Sequence, residues 1–286
     1  ELIQLSVAND LNSRITTYVY DQLGQLCFEI DSLDQIKHYT YNAYGELVER
    51  IEYASTNPSI RLSGLYLINE DIFARIRAGD DSIAPPTLSM FDTYFGQIYS
   101  LVSGDDRHTY YAYDEKGQLR FTVDPMGYVN ESRYNSFGQQ AVSVTYRNSV
   151  NGVYSGIDQL SLLSLVNTAN PSATDYFEIQ KLYDSRGFLR FEVNEDGQIQ
   201  QQRHNVHGEK VAHATHSVEI DVSSISNWTV DTVQTKLNEA LTSQYGSVMD
   251  PNMLSNGWVY GLSGELLMEL DPQGYLTNYF YNAFDE

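Results

Sequence analysis

The sequence predicts an all-β protein made of antiparallel strand-turn-strand repeats. Three observations carry the prediction. A turn motif returns every 21 residues, apolar residues alternate with polar ones between the turns, and helical periodicity is confined to stretches that interrupt the motif. Gly96, Gly117 and Gly138 lie 21 residues apart, and Tyr113-Asp114 returns as Tyr134-Asn135 at that same spacing. A period near 20 residues marks a repeat architecture.

The motif occurs in three further pairs. Tyr20-Asp21-Gln22-Leu23-Gly24 is followed by Tyr41-Asn42-Ala43-Tyr44-Gly45, and Tyr183-Asp184-Ser185-Arg186-Gly187 by His204-Asn205-Val206-His207-Gly208. Tyr260-Gly261-Leu262-Ser263-Gly264 is followed by Tyr281-Asn282-Ala283-Phe284, with Asp285 where glycine is due. Between these turns lie others, such as Asp124-Pro125-Met126-Gly127, Asn194 to Gly197 and Asp271-Pro272-Gln273-Gly274.

Each turn has a physical reading. Asp or Asn accepts from backbone N–H groups ahead of it. Glycine supplies the φ > 0 residue that closes the loop without a Cβ penalty. The expected structural turn residues are therefore Asp21, Gly24, Gly45, Asp114, Gly117, Asp124, Gly127, Asn135, Gly138, Asp184, Gly187, Gly197, Asn205, Gly208, Gly264, Asp271 and Gly274. Asp34 takes the glycine position in the first copy, and Asp tolerates the left-handed region better than most residues.

The strands follow from what lies between. Leu119, Phe121 and Val123 alternate with Arg120 and Thr122, the pattern of a half-buried strand. Leu26, Phe28 and Ile30, then Leu189, Phe191 and Val193, then Leu266, Met268 and Leu270 hold the same places. The second strand of each unit keeps one apolar position (Ile36, Val129, Ile199, Leu276) and is otherwise polar, as in Asn130-Glu131-Ser132-Arg133. A sheet of this kind is expected to form a ribbon with one wet face.

These residues also carry a family resemblance. Tyr-Asp-x-x-Gly-x-Leu, an acidic turn ending in glycine, then Tyr-Asp/Asn-x-x-Gly resemble the YD, or Rhs, repeat. That family includes bacterial Rhs toxins, shell-forming subunits of insecticidal toxin complexes and the animal teneurins. The resemblance implies a spiralling ribbon or part of a hollow β shell, in a secreted or cell-surface protein. It implies partners of three kinds: neighbouring repeats of the same longer chain, an enclosed C-terminal toxin, or surface glycans. The self-cleaving core motif that follows the repeats in Rhs proteins does not occur in this sequence.

Repeat cores are expected at 18–53, 91–146, 176–216 and 257–286, forming a single array, with interruptions at 54–90, 147–175 and 217–256. The chain begins in what reads as an interruption and ends inside a repeat, so a segment of a longer protein is expected. Each interruption holds a candidate helix. Asp158 to Val166 has Asp158 as N-cap and Pro171 beyond its end. Thr229 to Tyr245 carries Val230, Val233, Leu237, Ala240 and Leu241 at helical spacing, with Gly246 as terminator. Ile68 to Arg77 is weaker. The interruptions are expected to project from one side of the ribbon or cap an edge.

Composition narrows the function classes. The formal charge of −21 argues against nucleic acid, whose binding rests on Lys and Arg, and against anionic membrane surfaces. No apolar run approaches a membrane-spanning helix. Cys27 is the only cysteine, which excludes an intramolecular disulfide framework, and it is expected to be partly exposed. Asp80-Asp81 and Asp105-Asp106 lack the spacing of a calcium loop. His204, His207, His213 and His216 cluster in sequence, yet His213 and His216, three apart on a strand, point to opposite faces and do not converge as zinc ligands.

No nucleophile motif or phosphate loop is present, so no catalytic residue, metal or cofactor is expected. The favoured reading is a structural wall segment of a toxin-encapsulating shell. The alternatives are a carbohydrate- or partner-binding adhesion module with Tyr-rich strands, and an enzyme resting on the histidines.

Overall fold

The computed structural model describes residues 16–54, apart from 22, 32 and 34, and residues 104–282. The chain divides into two compact units, one of residues 1–127 with 150–165 and one of 128–149 with 166–286. Asp34, the stretch from Ile68 to Arg77, Asp80-Asp81 and Asp285 lie outside the described residues.

The first unit contains β1 (Thr17–Tyr20), β2 (Leu26–Ile30), β3 (Ile36–Tyr41), β4 (Leu47–Glu52), β5 (Arg107–Tyr113) and β6 (Leu119–Val123). Each strand pairs antiparallel with the next in sequence. The second unit contains β7 (Val129–Tyr134), β8 (Gln140–Tyr146), β9 (Tyr176–Tyr183), β10 (Leu189–Asn194), β11 (Gln198–His204), β12 (Lys210–Glu219), β13 (Leu254–Tyr260), β14 (Leu266–Leu270) and β15 (Leu276–Asn278), paired in the same way. Two α-helices are described, α1 (Gln159–Ala169) and α2 (Val230–Tyr245). The protein is therefore all-β, and among the described residues helix occurs only between repeats.

The interruptions do not break strand order. β5 pairs directly with β4, β9 with β8, and β13 with β12, although long segments separate each pair in sequence. Both helices are capped locally. Asp158 Oδ1 accepts from the amides of Leu160 and Ser161 at 2.9 and 3.0 Å. Thr229 accepts from Thr232, and Gly246 ends α2 at φ 68°, where glycine avoids the Cβ penalty.

One sheet face is covered in the second unit. Val233, Leu237 and Leu241 of α2 are buried in one cluster with Leu182, Phe191, Val193, Ile199, Val218 and Ile220. The helix of the last interruption thus lies on the apolar face of the sheet, which provides its driving force. The second and third members of the first three apolar triplets behave alike: Phe28, Ile30, Phe121, Val123, Phe191 and Val193 are buried.

Leu26, Leu119 and Leu189, first in their triplets and two residues past a turn glycine, are half-buried. One expectation needs correction. The polar residues of the second strands are not uniformly wet. Glu131 of β7 is fully buried beside Val144, and its Oε2 accepts from Arg133 Nη2 and Tyr146 Oη, both at 2.8 Å. A buried carboxylate persists only when paired and hydrogen-bonded.

Phe121 and Leu160 provide contrasting tests of this packing. Phe121→Ala is expected to lower stability by about 3–5 kcal/mol. Leu160→Ala, on the exposed side of α1, should stay within about 0.5 kcal/mol. Urea denaturation of both variants checks the contrast.

Candidate functional site

The recurring local site is the hairpin turn. Asp21 Oδ1 accepts from the amides of Leu23 and Gln25, both at 2.8 Å. Asp114 does the same with Lys116 and Gln118, Asn135 with Phe137 and Gln139, Asp184 with Arg186 and Phe188, and Asn205 with His207 and Glu209. Asp271 accepts from Gln273 and Tyr275, and Asp124 from Met126. Burial opposes charge on Asp184, but the amide of Phe188 and the side chain of Arg186 hold its carboxyl below the usual range. Gly24, Gly45, Gly117, Gly127, Gly138, Gly187, Gly197, Gly208, Gly264 and Gly274 all have φ between 75 and 89°. A bulge in strand register accompanies the turns that follow a tyrosine or histidine position, as between Val19 and Tyr20, in accord with a type I turn closed by a left-handed residue, whereas the β10/β11 and β14/β15 pairs keep an unshifted register.

Four of the tyrosines that precede a turn Asp or Asn have a separate task. Tyr41 Oη donates to the carbonyl of Leu26 at 3.0 Å, Tyr113 to Leu47 at 2.9 Å, Tyr183 to Gln140 at 2.9 Å and Tyr281 to Leu266 at 2.8 Å. Each acceptor sits two residues after the glycine of an adjacent hairpin, so the hydroxyl clasps one hairpin to its neighbour. Burial raises the hydroxyl pKa of Tyr41, Tyr113 and Tyr183, keeping each a neutral donor. Sequence reasoning placed the tyrosines on strands without seeing this bond. Its acceptor is main chain and leaves no residue signature.

The residue after each glycine adds a further contact. Gln139 Nε2 donates to the carbonyl of Gly187 at 2.8 Å. A Cβ built on Gly117 would lie 2.9 Å from Glu46 Oε1, and one on Gly208 would lie 2.7 Å from the ring of Phe188. These glycines satisfy two demands, left-handed backbone and close approach by a neighbouring hairpin.

The histidines do not assemble a site. His204, in a tyrosine position, stacks on Phe188 with ring centroids 5.0 Å apart. His207 lies exposed in its turn, and His213 Nε2 is 3.4 Å from Gln200 Oε1. His216 is buried beside Asp250, with Nδ1 3.4 Å from Oδ2, and Asp250 also accepts from Ser217 N and Oγ at 2.7 and 2.6 Å. The Ser217 hydroxyl lies on the carboxylate rather than the imidazole. Asp250 thereby fastens the segment after α2 to β12. Among the described residues, no group of three or more His, Cys, Asp or Glu is placed to hold a metal ion. Cys27 is half-buried, with its thiol pKa raised first by burial and then by Asp21. No described helix is long and apolar enough to cross a membrane.

The second unit also has a cleft of about 240 Å³. Phe137, Gln139, Gln180, Lys181, Asp184 and Trp228 are among its lining residues. Phe137 is 86% exposed.

Sequential antiparallel pairing and glycine-closed turns define an all-β strand-turn-strand fold. No family model and no curated protein matches the sequence. Among solved structures, the chain is similar to a crystal structure of TcdB2-TccC3-Cdc42, with TM-score 0.44 and 12% identity, over 93% of this chain and 10% of that one. It is similar to a crystal structure of TcdB2-TccC3-TEV, with TM-score 0.40 and 14% identity, over 95% and 11%. A third is the Photorhabdus luminescens Tc holotoxin pore with the TccC3-D651A mutation, with TM-score 0.37 and 14% identity, over 93% and 11%. The chain spans about a tenth of the length of the chains it matches.

His216 gives the clasp under α2 a pH dependence. Burial holds its pKa below the usual 6.5 against the opposing pull of Asp250. The folded state therefore favours neutral imidazole, and its stabilising effect is complete above pH 6.5 and lost as pH falls through the lowered pKa. Amide exchange around Ser217 and Asp250 is expected to speed up between pH 7.5 and 5.5, after correction for intrinsic rates, and His216→Gln should flatten that change.

Proposed function

We propose that this chain is a structural wall segment of a secreted or surface YD-repeat protein, part of a shell that encloses a toxic polypeptide. The carrying observation is the hairpin clasp. Tyrosine hydroxyls, Asp and Asn carboxyl or amide oxygens and post-glycine side chains are engaged with the chain's own backbone. Such residues build a surface and do not turn over a substrate. On this reading the turn residues from Asp21 to Gly274 are structural, and the four cores act as one array whose partners are neighbouring repeats. The charge of −21 keeps a broad sheet soluble and away from nucleic acid. Electron cryomicroscopy of the complete gene product carrying these 286 residues tests the proposal. A hollow β-walled particle with density inside is expected, and a solid globule or an extended rod would contradict it.

The cleft at Phe137 favours a second reading, in which the wall also contacts glycans. An exposed aromatic ring beside amide and charged groups offers a stacking platform with polar partners. Glycan-array binding that Phe137→Ala weakens at least tenfold is the expected result for this reading; an array without signal removes it.

A further inference from the structure

The apolar sheet face covered by α2 continues beyond the helix. Register carries the row of Ala212 through Gly257 to Leu270 and Leu276, and Val259 pairs with Met268. Met268, Leu270 and Leu276 occupy the repeat positions of Phe191, Val193 and Ile199. Those three are fully buried, with α2 in their cluster. Their counterparts are 39, 41 and 56% exposed. The bare patch is therefore continuous with an interface that the same chain already makes.

A second observation shows what the covered copy has and this one lacks. Ile220 N donates to the carbonyl of Gly197 at 2.9 Å, at the start of the connection that leads to α2. Val150 N donates to Gly127 at 2.8 Å ahead of α1, so the device occurs in both units. A Cβ built on Gly197 would collide with the Ile220 carbonyl, whereas one on Gly274, the equivalent glycine, would meet nothing within 4 Å. Gly274 keeps the left-handed backbone of a dock, at φ 88°, with open space in front of it.

We propose that Met268, Leu270, Leu276 and Gly274 form a docking face for an amphipathic helix of the kind seen in α2. The incoming segment carries an extended residue whose N–H meets the Gly274 carbonyl. The helix after it presents aliphatic side chains at i, i+4 and i+8, as Val233, Leu237 and Leu241 do. The patch matches such a stripe in chemistry and repeats the geometry already filled one copy earlier. The proposal stands whether or not the wall encloses a toxin.

The test uses the intact chain and a labelled synthetic peptide of residues 217–246 as probe, followed by fluorescence anisotropy. Saturable binding is expected, weakened at least tenfold by Leu270→Glu and within twofold of wild type for Thr277→Glu on the opposite face. Circular dichroism checks that both variants keep the parent fold. Absence of saturable binding, or binding that survives Leu270→Glu, overturns the proposal; the latter means that the peptide displaces α2 from its own seat. Light scattering adds an independent arm. A dimer abolished by Leu270→Glu would make a second copy the occupant and would also overturn it.

Discussion

The glycine-closed hairpin bends among the described residues are organised around a backbone conformation that an ordinary L-residue resists. The turn glycines lie near φ 80°, where a Cβ costs about 1–2 kcal/mol. The Asp or Asn three residues earlier makes that bend worth adopting, because one side-chain oxygen satisfies two amides that the turn would otherwise leave open. Once the bend is fixed, strand register, the bulge and the direction of each side chain follow. A one-residue slip would turn Phe121 or Phe191 from the covered face to the other.

The clasp extends this local order to the next hairpin. A tyrosine hydroxyl reaching a carbonyl beside an adjacent turn, and a Gln or Glu laid against an adjacent glycine, lock neighbours without a core between them. Repeat proteins gain stability from such nearest-neighbour terms. In the second unit, covering the apolar face is left to α2, inserted between repeats. That division of labour explains how interruptions of very different sequence coexist with unbroken strand order.

Much of this was legible in the residues. The turns could be read because backbone demands recur at fixed spacing while Glu115-Lys116 and Ser185-Arg186 vary freely. The stripe of α2 was visible from Val233, Leu237 and Leu241, but its destination was not, since a hydrophobic stripe does not name its partner face. The tyrosine clasp was hidden because it binds main chain. Glu131 reads as a wet strand residue, and its burial depends on Tyr146, a strand away in sequence. Met268 and Leu270 look like core in sequence and are not, because burial depends on a covering helix as well as on the pattern.

The handedness of the turn glycine is the constraint from which the rest follows, and mirror-image alanine tests it most directly. Gly274 suits the experiment, because an added Cβ meets no neighbour and semisynthesis reaches the C-terminal region. With L-Ala at this position the turn should lose about 1–2 kcal/mol, read from faster exchange of the Tyr275 amide that bonds Asp271 Oδ1. With D-Ala, for which positive φ is the preferred backbone, protection should equal or exceed that of glycine. Equal loss with both enantiomers would mean that the glycine is there for space and not for handedness, and the account of the repeat would fail.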